Sequence, residues 1–108
     1  MEVTNSKKDN FLVIGVIGRL DTSNYAELEA ELLGFIESGE KHIVLDCSGL
    51  SYVSSSGLRV MLMALKKTTA LNGNFHLCCL HDNIMEIFEI AGFTSIFKIF
   101  TNLDDAVK

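Results

Sequence analysis

The run FLVIGVIGRL at residues 11–20 constrains the fold of this chain more than any other stretch. A strand with one face in water alternates apolar and polar residues, whereas here both alternating sets are apolar or glycine through residue 18. A strand that is buried on both faces has this pattern. The rest of the chain must therefore supply layers that cover both sides of a sheet.

Helical and strand-like patterns alternate along the rest of the sequence. After the polar caps Thr22, Ser23 and Asn24, apolar residues recur at helical spacing until Gly39, a typical helix end. Apolar runs predict three more strands, and capped periodic segments predict three more helices. The strands are at 42–47, 74–80 and 95–100, the helices are at 56–71, 82–92 and 102–108, residues 2–6 form an edge strand, and 48–55 form a polar loop.

The predicted order of elements is β(β)αβαβαβα, which is typical of an α/β domain. Crossover helices between strands require parallel pairing, so we expect a mixed, mostly parallel sheet of about four to five strands with helices packed against it. No repeat, low-complexity tract or linker divides residues 1–108, and their length suits a single domain.

Composition excludes several classes of function. The net charge is −5 and the only basic clusters are two Lys-Lys pairs, so a nucleic-acid surface is not expected. No apolar stretch approaches the ~20 residues of a membrane helix and no signal peptide is visible, which predicts a soluble protein without membrane insertion. Cys47, Cys78 and Cys79 have neither disulfide nor metal-ligand spacing, and we expect them to be structural and reduced, which indicates a cytoplasmic protein.

The segment YVSSSGL at residues 52–58 places three hydroxyls between a strand-like and a helix-like run. Any one of Ser54, Ser55 and Ser56 can cap the helix by accepting a hydrogen bond from a free backbone N–H. A functional interpretation is equally open. Side chains at the carboxyl ends of neighbouring parallel strands meet at one edge of a sheet, where Asp21 would face the serines. A hydroxyl at a helix N-terminus is also well placed to carry a phosphoryl group.

No catalytic motif accompanies these serines. The Gly-x-Ser-x-Gly elbow of serine hydrolases is absent, and none of His42, His76 and His81 stands in the context of a catalytic base. The Gly-x-x-x-x-Gly-Lys loop that binds nucleotide phosphates is also absent. We therefore expect no enzyme activity, no metal and no cofactor.

The helix that follows the serines has two apolar faces. At about 100° per residue, one face is predicted to contact the core. Its residues are Leu58, Met61, Leu62 and Leu65. Val60 and Met63 are predicted to point away from it, flanked by Arg59 and Lys66. A small exposed patch of this kind is commonly an interaction site, although single exposed apolar residues are also normal.

Four segments together resemble the STAS domain, the family of sulfate transporters and anti-sigma-factor antagonists, and most closely its free-standing antagonists. They are GRLDTSNYAELEAEL, HIVLDCSGLSYVSSSGLRVML, GNFHLCCL and IFEIAGFTSIFKIF. The Gly-x-Leu-Asp segment at 18–21 and the Asp-x-Ser-Gly-Leu and Ser-Ser-Gly-Leu segments within 46–58 occur at the family's spacing. The likeness extends from about Val13 to Ala106 with the same order of elements.

The resemblance implies a partner switch that is controlled by phosphorylation. In this family the unphosphorylated antagonist binds an anti-sigma serine kinase of the histidine-kinase-like ATPase fold and frees a sigma factor. Phosphorylation of a serine at the start of the second long helix separates the complex, and a metal-dependent serine phosphatase reverses the modification. By motif position the acceptor is Ser55, with Asp21 beside it. Ser54 stands where the family usually has Asp, which leaves Ser54 and Ser56 as alternative acceptors.

The implied partner-binding surface joins the loop after the first long strand to the start of the second long helix. Its residues are Asp21, Thr22, Ser23, Ser54, Ser56, Gly57, Arg59, Val60 and Met63. A monomer is expected. The family also includes non-switching interaction modules in transporter, lipid-trafficking and signalling assemblies, in which the serines would only cap a helix.

Overall fold

The computed structural model describes residues 1–108, which form six β-strands, four α-helices and one 3-10 helix. In chain order these are β1 Glu2–Lys8, β2 Phe11–Leu20, α1 Tyr25–Glu37, β3 His42–Asp46, β4 Leu50–Val53, α2 Ser55–Ala70, β5 Asn74–Cys78, α3 Asp82–Ile90, the 3-10 helix Phe93–Ser95, β6 Lys98–Phe100 and α4 Leu103–Ala106.

The sheet is mixed and mostly parallel, as the sequence predicts. Its main path runs β1-β2-β3-β5-β6, and β4 pairs with β2 beside this path. Only β1 is antiparallel to its neighbour, and it forms the predicted edge strand. The parallel pairs are joined by α1, α2 and α3, which is why their carboxyl ends lie at one edge of the sheet.

The strand β4 corrects the prediction of a polar loop at 48–55 and of a sheet with four to five strands. β2 pairs first with β3 and then, from Gly18 to Leu20, with β4. The register shifts between Gly18 and Arg19, and Gly18 has a φ of 101°, a conformation that favours glycine. This irregularity bends β2 away from β3 and gives β4 a partner. Leu50 and Val53 are buried, so β4 also contributes to the core.

The two faces of the sheet are covered unequally. The main core fills the space between the sheet and the helices α1, α2 and α3. A smaller core lies on the opposite face, under α4. It consists of Phe11, Val13, Val44, Cys78, Ala106 and Val107. The prediction that 11–20 is buried on both faces is therefore confirmed for the first half of β2.

Several predicted helix ends are confirmed and others are shifted. Gly39 follows α1 with a φ of 109°. The sequence predicts Asn102 as the cap of α4, and its Oδ1 accepts from Asp105 N at 2.9 Å. The sequence also predicts Asp82 as the cap of α3, but Asp82 is the first residue of that helix and His81 occupies the cap position. The last strand is shorter than predicted because residues 93–95 form the 3-10 helix.

The three cysteines are free thiols. Cys47 and Cys78 are fully buried, and burial raises the pKa of both thiols well above the ordinary value. Cys79 is half-buried. None of the helices has the length and apolar character that crossing a membrane requires.

Candidate functional site

Two neighbouring strand ends bring the predicted site residues together. Leu20 of β2 pairs with Val53 of β4, and the Ser54 N–H donates to the Leu20 carbonyl at 2.9 Å. The loop that begins at Asp21 and the helix that begins at Ser55 therefore leave the same edge of the sheet side by side. The segments that contain Asp21 and the serines are therefore neighbours, with β4 rather than the strand 42–47 providing the pairing.

The three serines occupy different environments. Ser54 is the N-cap of α2, and its Oγ accepts from Gly57 N at 3.3 Å. Ser56 is buried, and its Oγ lies 3.5 Å from Arg59 Nη2. Ser55 is exposed, and its hydroxyl makes no hydrogen bond within the protein. Capping thus explains one serine and burial explains another, while Ser55 presents a free hydroxyl to solvent.

The electrostatic environment at the start of α2 suits an anion. The helix is 16 residues long, and its first turn contains no acidic residue. The unpaired backbone N–H groups and the helix dipole stabilise negative charge at such an end. A phosphate on Ser55 would lie at this N-terminus, which the isolated domain can therefore accommodate.

Asp21 is held as a carboxylate by its own loop. Its Oδ1 accepts from Ser23 N at 3.0 Å and from Ser23 Oγ at 2.6 Å, and its Oδ2 lies 3.7 Å from Arg19 Nε. The hydrogen bonds from Ser23, with a smaller contribution from Arg19, lower the pKa of Asp21 below its ordinary value. Asp21 therefore carries a fixed negative charge at neutral pH.

Sequence reasoning missed the residues that fix this loop. Asn24 holds the N-cap position of α1, but its side chain bonds to Asp21 N and to the Arg19 carbonyl, at 2.9 and 2.8 Å, instead of to the helix. The Arg19 guanidinium also lies over the Tyr52 ring, 4.2 Å from its centre. This contact joins β2 to β4. The sequence patterns do not predict that these two strands pair, so they do not indicate the contact either.

Val60 corrects the predicted outer face of α2. The buried stripe lies about one residue earlier than expected, so Val60 and Ala64 are buried whereas Leu62 and Leu65 are only partly buried. The physical reason is that α2 packs against α1 as well as against the sheet. Met63 remains half-exposed, as predicted.

A shallow groove of about 300 Å³ runs between α1 and α2 beside the serines. Its lining residues are Tyr25, Glu29, Ser56, Arg59, Val60 and Met63. Arg59 is exposed, and so are Thr22 and Ser23 in the neighbouring loop. The groove thus brings together Ser56, Arg59, Val60 and Met63 of the predicted surface, with Val60 forming its floor instead of a projecting contact. Gly57, also predicted to bind the partner, is buried because α2 packs closely against the sheet there.

Gly57 allows α2 to begin against the sheet. A Cβ at this position would lie 2.8 Å from Leu20 Cγ and 2.8 Å from Val53 Cγ2. We expect Gly57→Ala to destabilise the protein by about 1–2 kcal/mol, because crowding of the core outweighs the better helix propensity of alanine.

The matched control for this prediction is Gly34→Ala in α1, where an added Cβ meets no atom within 4 Å. That change is expected to stabilise the protein by about 0.5–1 kcal/mol. Urea unfolding of both variants measures the difference. Equal stabilisation by the two alanines would contradict the close packing of Gly57.

Comparison with known proteins decides the family. The STAS domain family matches residues 2–106. The chain belongs to the STAS domain family. BtrV from Bordetella bronchiseptica, provisionally named an anti-sigma factor antagonist, is 40% identical over 99 residues, which are 92% of this chain and 85% of BtrV. The anti-sigma-B factor antagonist of Staphylococcus aureus is 25% identical over 99 residues, 92% of each protein.

Solved STAS structures share the fold. SpoIIAA in its unphosphorylated form superposes with a TM-score of 0.76 at 18% identity, covering 96% of this chain and 92% of SpoIIAA. The Bacillus cell fate determinant SpoIIAA in its phosphorylated form gives a TM-score of 0.77 at 19% identity, covering 98% of this chain and 96% of that protein. The predicted α/β STAS fold is thereby confirmed.

Proposed function

We propose that this STAS protein is an anti-sigma-factor antagonist that switches partners through phosphorylation of Ser55. Two sequence relatives, BtrV and the Staphylococcus aureus protein, are named as antagonists. SpoIIAA, which has the same fold, is known in phosphorylated and unphosphorylated forms. STAS-domain antagonists are generally non-catalytic, and we extend that property to residues 1–108 as one binding domain.

The observation that supports the proposal most strongly is the environment of Ser55. Ser55 is the one serine of the three that is both exposed and free of hydrogen bonds. It begins a long helix whose N-terminus tolerates a phosphate. Ser54 takes the structural role of the cap, and Ser56 is too buried to enter a kinase site without local unfolding.

The switch acts through charge and leaves the fold unchanged. Phosphorylation adds about −1.5 to −2 charges at neutral pH. In the free domain the helix terminus and water solvate that charge. In a tight complex the phosphate and the fixed carboxylate of Asp21 would both lose water, and the repulsion between them would no longer be screened, so binding becomes unfavourable.

The partners proposed for this switch follow from the family resemblance. We propose an anti-sigma serine kinase of the histidine-kinase-like ATPase fold as the protein that binds the surface around Ser55, and a metal-dependent serine phosphatase as the enzyme that removes the phosphate. Both would meet this protein in the cytoplasm. The groove between α1 and α2, with Met63 and Arg59 at its rim, would receive the kinase.

Met63→Asp tests the groove. The half-exposed Met63 side chain provides adaptable apolar contact. A carboxylate there would have to be desolvated, so we expect the affinity for the kinase to fall by about tenfold or more. Isothermal titration calorimetry measures the change. The control is Ile90→Asp, which introduces the same charge at an exposed apolar residue of α3. An unchanged affinity for Met63→Asp would exclude the groove as the docking surface.

The direct test of function is the release of a sigma factor. A kinase and a sigma factor encoded beside this protein would be purified as a complex. Addition of the unphosphorylated protein is expected to displace the sigma factor, and addition of the phosphorylated protein is not. Failure of both forms to bind the kinase would favour a non-switching interaction module instead.

A further inference from the structure

We propose that Asp46, Cys78 and Cys79 form a binding site for a thiophilic d10 metal cation, with Zn²⁺ as the best match. One carboxylate oxygen and two thiol sulfurs lie within 4.8 Å of one another. The cluster is at the carboxyl end of β3 and β5. It lies on the face that α4 covers and therefore across the sheet from α2 and the serines.

The strand register places the first two ligands side by side. Asp46 and Cys78 are directly paired in the parallel ladder between β3 and β5. Paired residues of neighbouring strands point to the same face of a sheet, so the carboxylate and the thiol are neighbours for topological reasons. They are far apart in sequence, and no spacing rule for metal ligands connects them.

Cys79 joins the pair through an unusual backbone conformation. Successive residues of a strand normally point to opposite faces, which would separate Cys78 from Cys79. Cys79 instead has a φ of 64°, a left-handed conformation that is uncommon for a residue other than glycine. The sulfurs of Cys78 and Cys79 consequently lie within 4.8 Å of each other. Backbone strain of this kind is concentrated at functional sites.

The carboxylate has no cationic partner in the protein. Asp46 Oδ1 accepts from Ser48 N at 3.0 Å, and Asp46 takes part in none of the ion pairs. This hydrogen bond fixes the orientation of the carboxylate, as contacts to metal ligands commonly do. The two thiols form no disulfide. Neither an ion pair nor a disulfide therefore occupies these three donors.

The donor set selects the class of metal. Two thiolates favour Zn²⁺ or another soft d10 ion over Mg²⁺ and Ca²⁺, and a carboxylate is an ordinary third ligand for Zn²⁺. In a tetrahedral Zn²⁺ site the Zn–S distances are about 2.3 Å and the Zn–O distances about 2.1 Å, so the ligand atoms lie closer to one another than 4.8 Å. Small side-chain rotations would bring the three ligand atoms of this cluster to that separation. Binding would release the two thiol protons to solvent and leave a fourth position for water.

The test is a titration of tag-free protein with Co²⁺, a spectroscopic substitute for Zn²⁺, under a phosphine reductant. We expect a sulfur-to-cobalt charge-transfer band that saturates at about one ion per chain and disappears on addition of Zn²⁺. Cys79→Ser and Asp46→Asn should each weaken Co²⁺ binding by about 10-fold or more.

Two variants serve as controls. Asp82→Asn removes an exposed carboxylate on α3, and Cys47→Ala removes the thiol that packs in the main core. Both are expected to bind Co²⁺ like the parent protein, with circular dichroism confirming that every variant is folded. Absence of the band, or an unchanged affinity in Cys79→Ser or Asp46→Asn, would overturn the proposal.

Discussion

Ser55→Glu is expected to weaken binding of the anti-sigma kinase by about 100-fold or more. In the complex the new carboxylate and the fixed charge of Asp21 would both be buried at the proposed surface, and buried charges of the same sign cost several kcal/mol. Ser55→Ala is expected to retain binding and to resist phosphorylation, because the hydroxyl makes no hydrogen bond within the protein. Calorimetry gives both affinities, and a gel-shift assay for phosphoprotein gives the modification.

Ser54→Ala is the matched control for these variants. It removes the hydrogen bond from Gly57 N and should cost about 1 kcal/mol of stability, but it leaves the charge of the surface unchanged. We expect it to bind the kinase and to be phosphorylated on Ser55. Loss of phosphorylation in Ser54→Ala with continued phosphorylation of Ser55→Ala would assign the acceptor to Ser54.

Phe88→Ala is expected to have the largest effect on stability. Phe88 of α3 is fully buried and packs edge-on against Phe93 and Phe97, with ring centroids 6.1 and 5.8 Å apart. Truncation of a buried phenylalanine costs about 3–5 kcal/mol, because the cavity adds to the lost transfer free energy. This is a large fraction of the about 5–15 kcal/mol that stabilises a typical domain. Thermal and urea unfolding measure the loss.

Ile90→Ala is the control in the same helix. Its side chain is 81% exposed, so the substitution should change the free energy of unfolding by less than about 0.5 kcal/mol. A loss of similar size in the two variants would mean that the aromatic cluster around Phe88 does not anchor α3 to the core.

Local patterns were enough to predict most of the fold. The two-sided apolar run of β2 required layers on both faces, and α4 covers the second face as that argument demands. Gly39 after α1 and the Asn102 cap of α4 are local signals and were identified correctly. The exception is β4, which has four residues and exists because β2 bends at Gly18 to pair with it. A strand this short, which forms because a distant strand pairs with it, has no periodic sequence pattern from which it could be predicted.

The candidate site was predictable in outline and not in detail. The position of Ser55 and Asp21 at one edge of the sheet follows from the order of the elements. The orientation of α2 does not, because contacts with both α1 and the sheet decide which face is buried, and Val60 was therefore assigned to the wrong side. The meeting of Asp46 with Cys78 depends on strand register, which sequence spacing does not encode.

Phosphopeptide mapping of the protein isolated from its native cells under several growth conditions tests the proposed switch most directly. The exposed, unbonded hydroxyl at the start of α2 predicts a phosphate on Ser55 whose occupancy changes with conditions. A phosphate on Ser54 would show that the replacement of Asp by Ser there has moved the acceptor. The absence of phosphate under every condition would contradict the partner switch and leave the three serines with a structural role only.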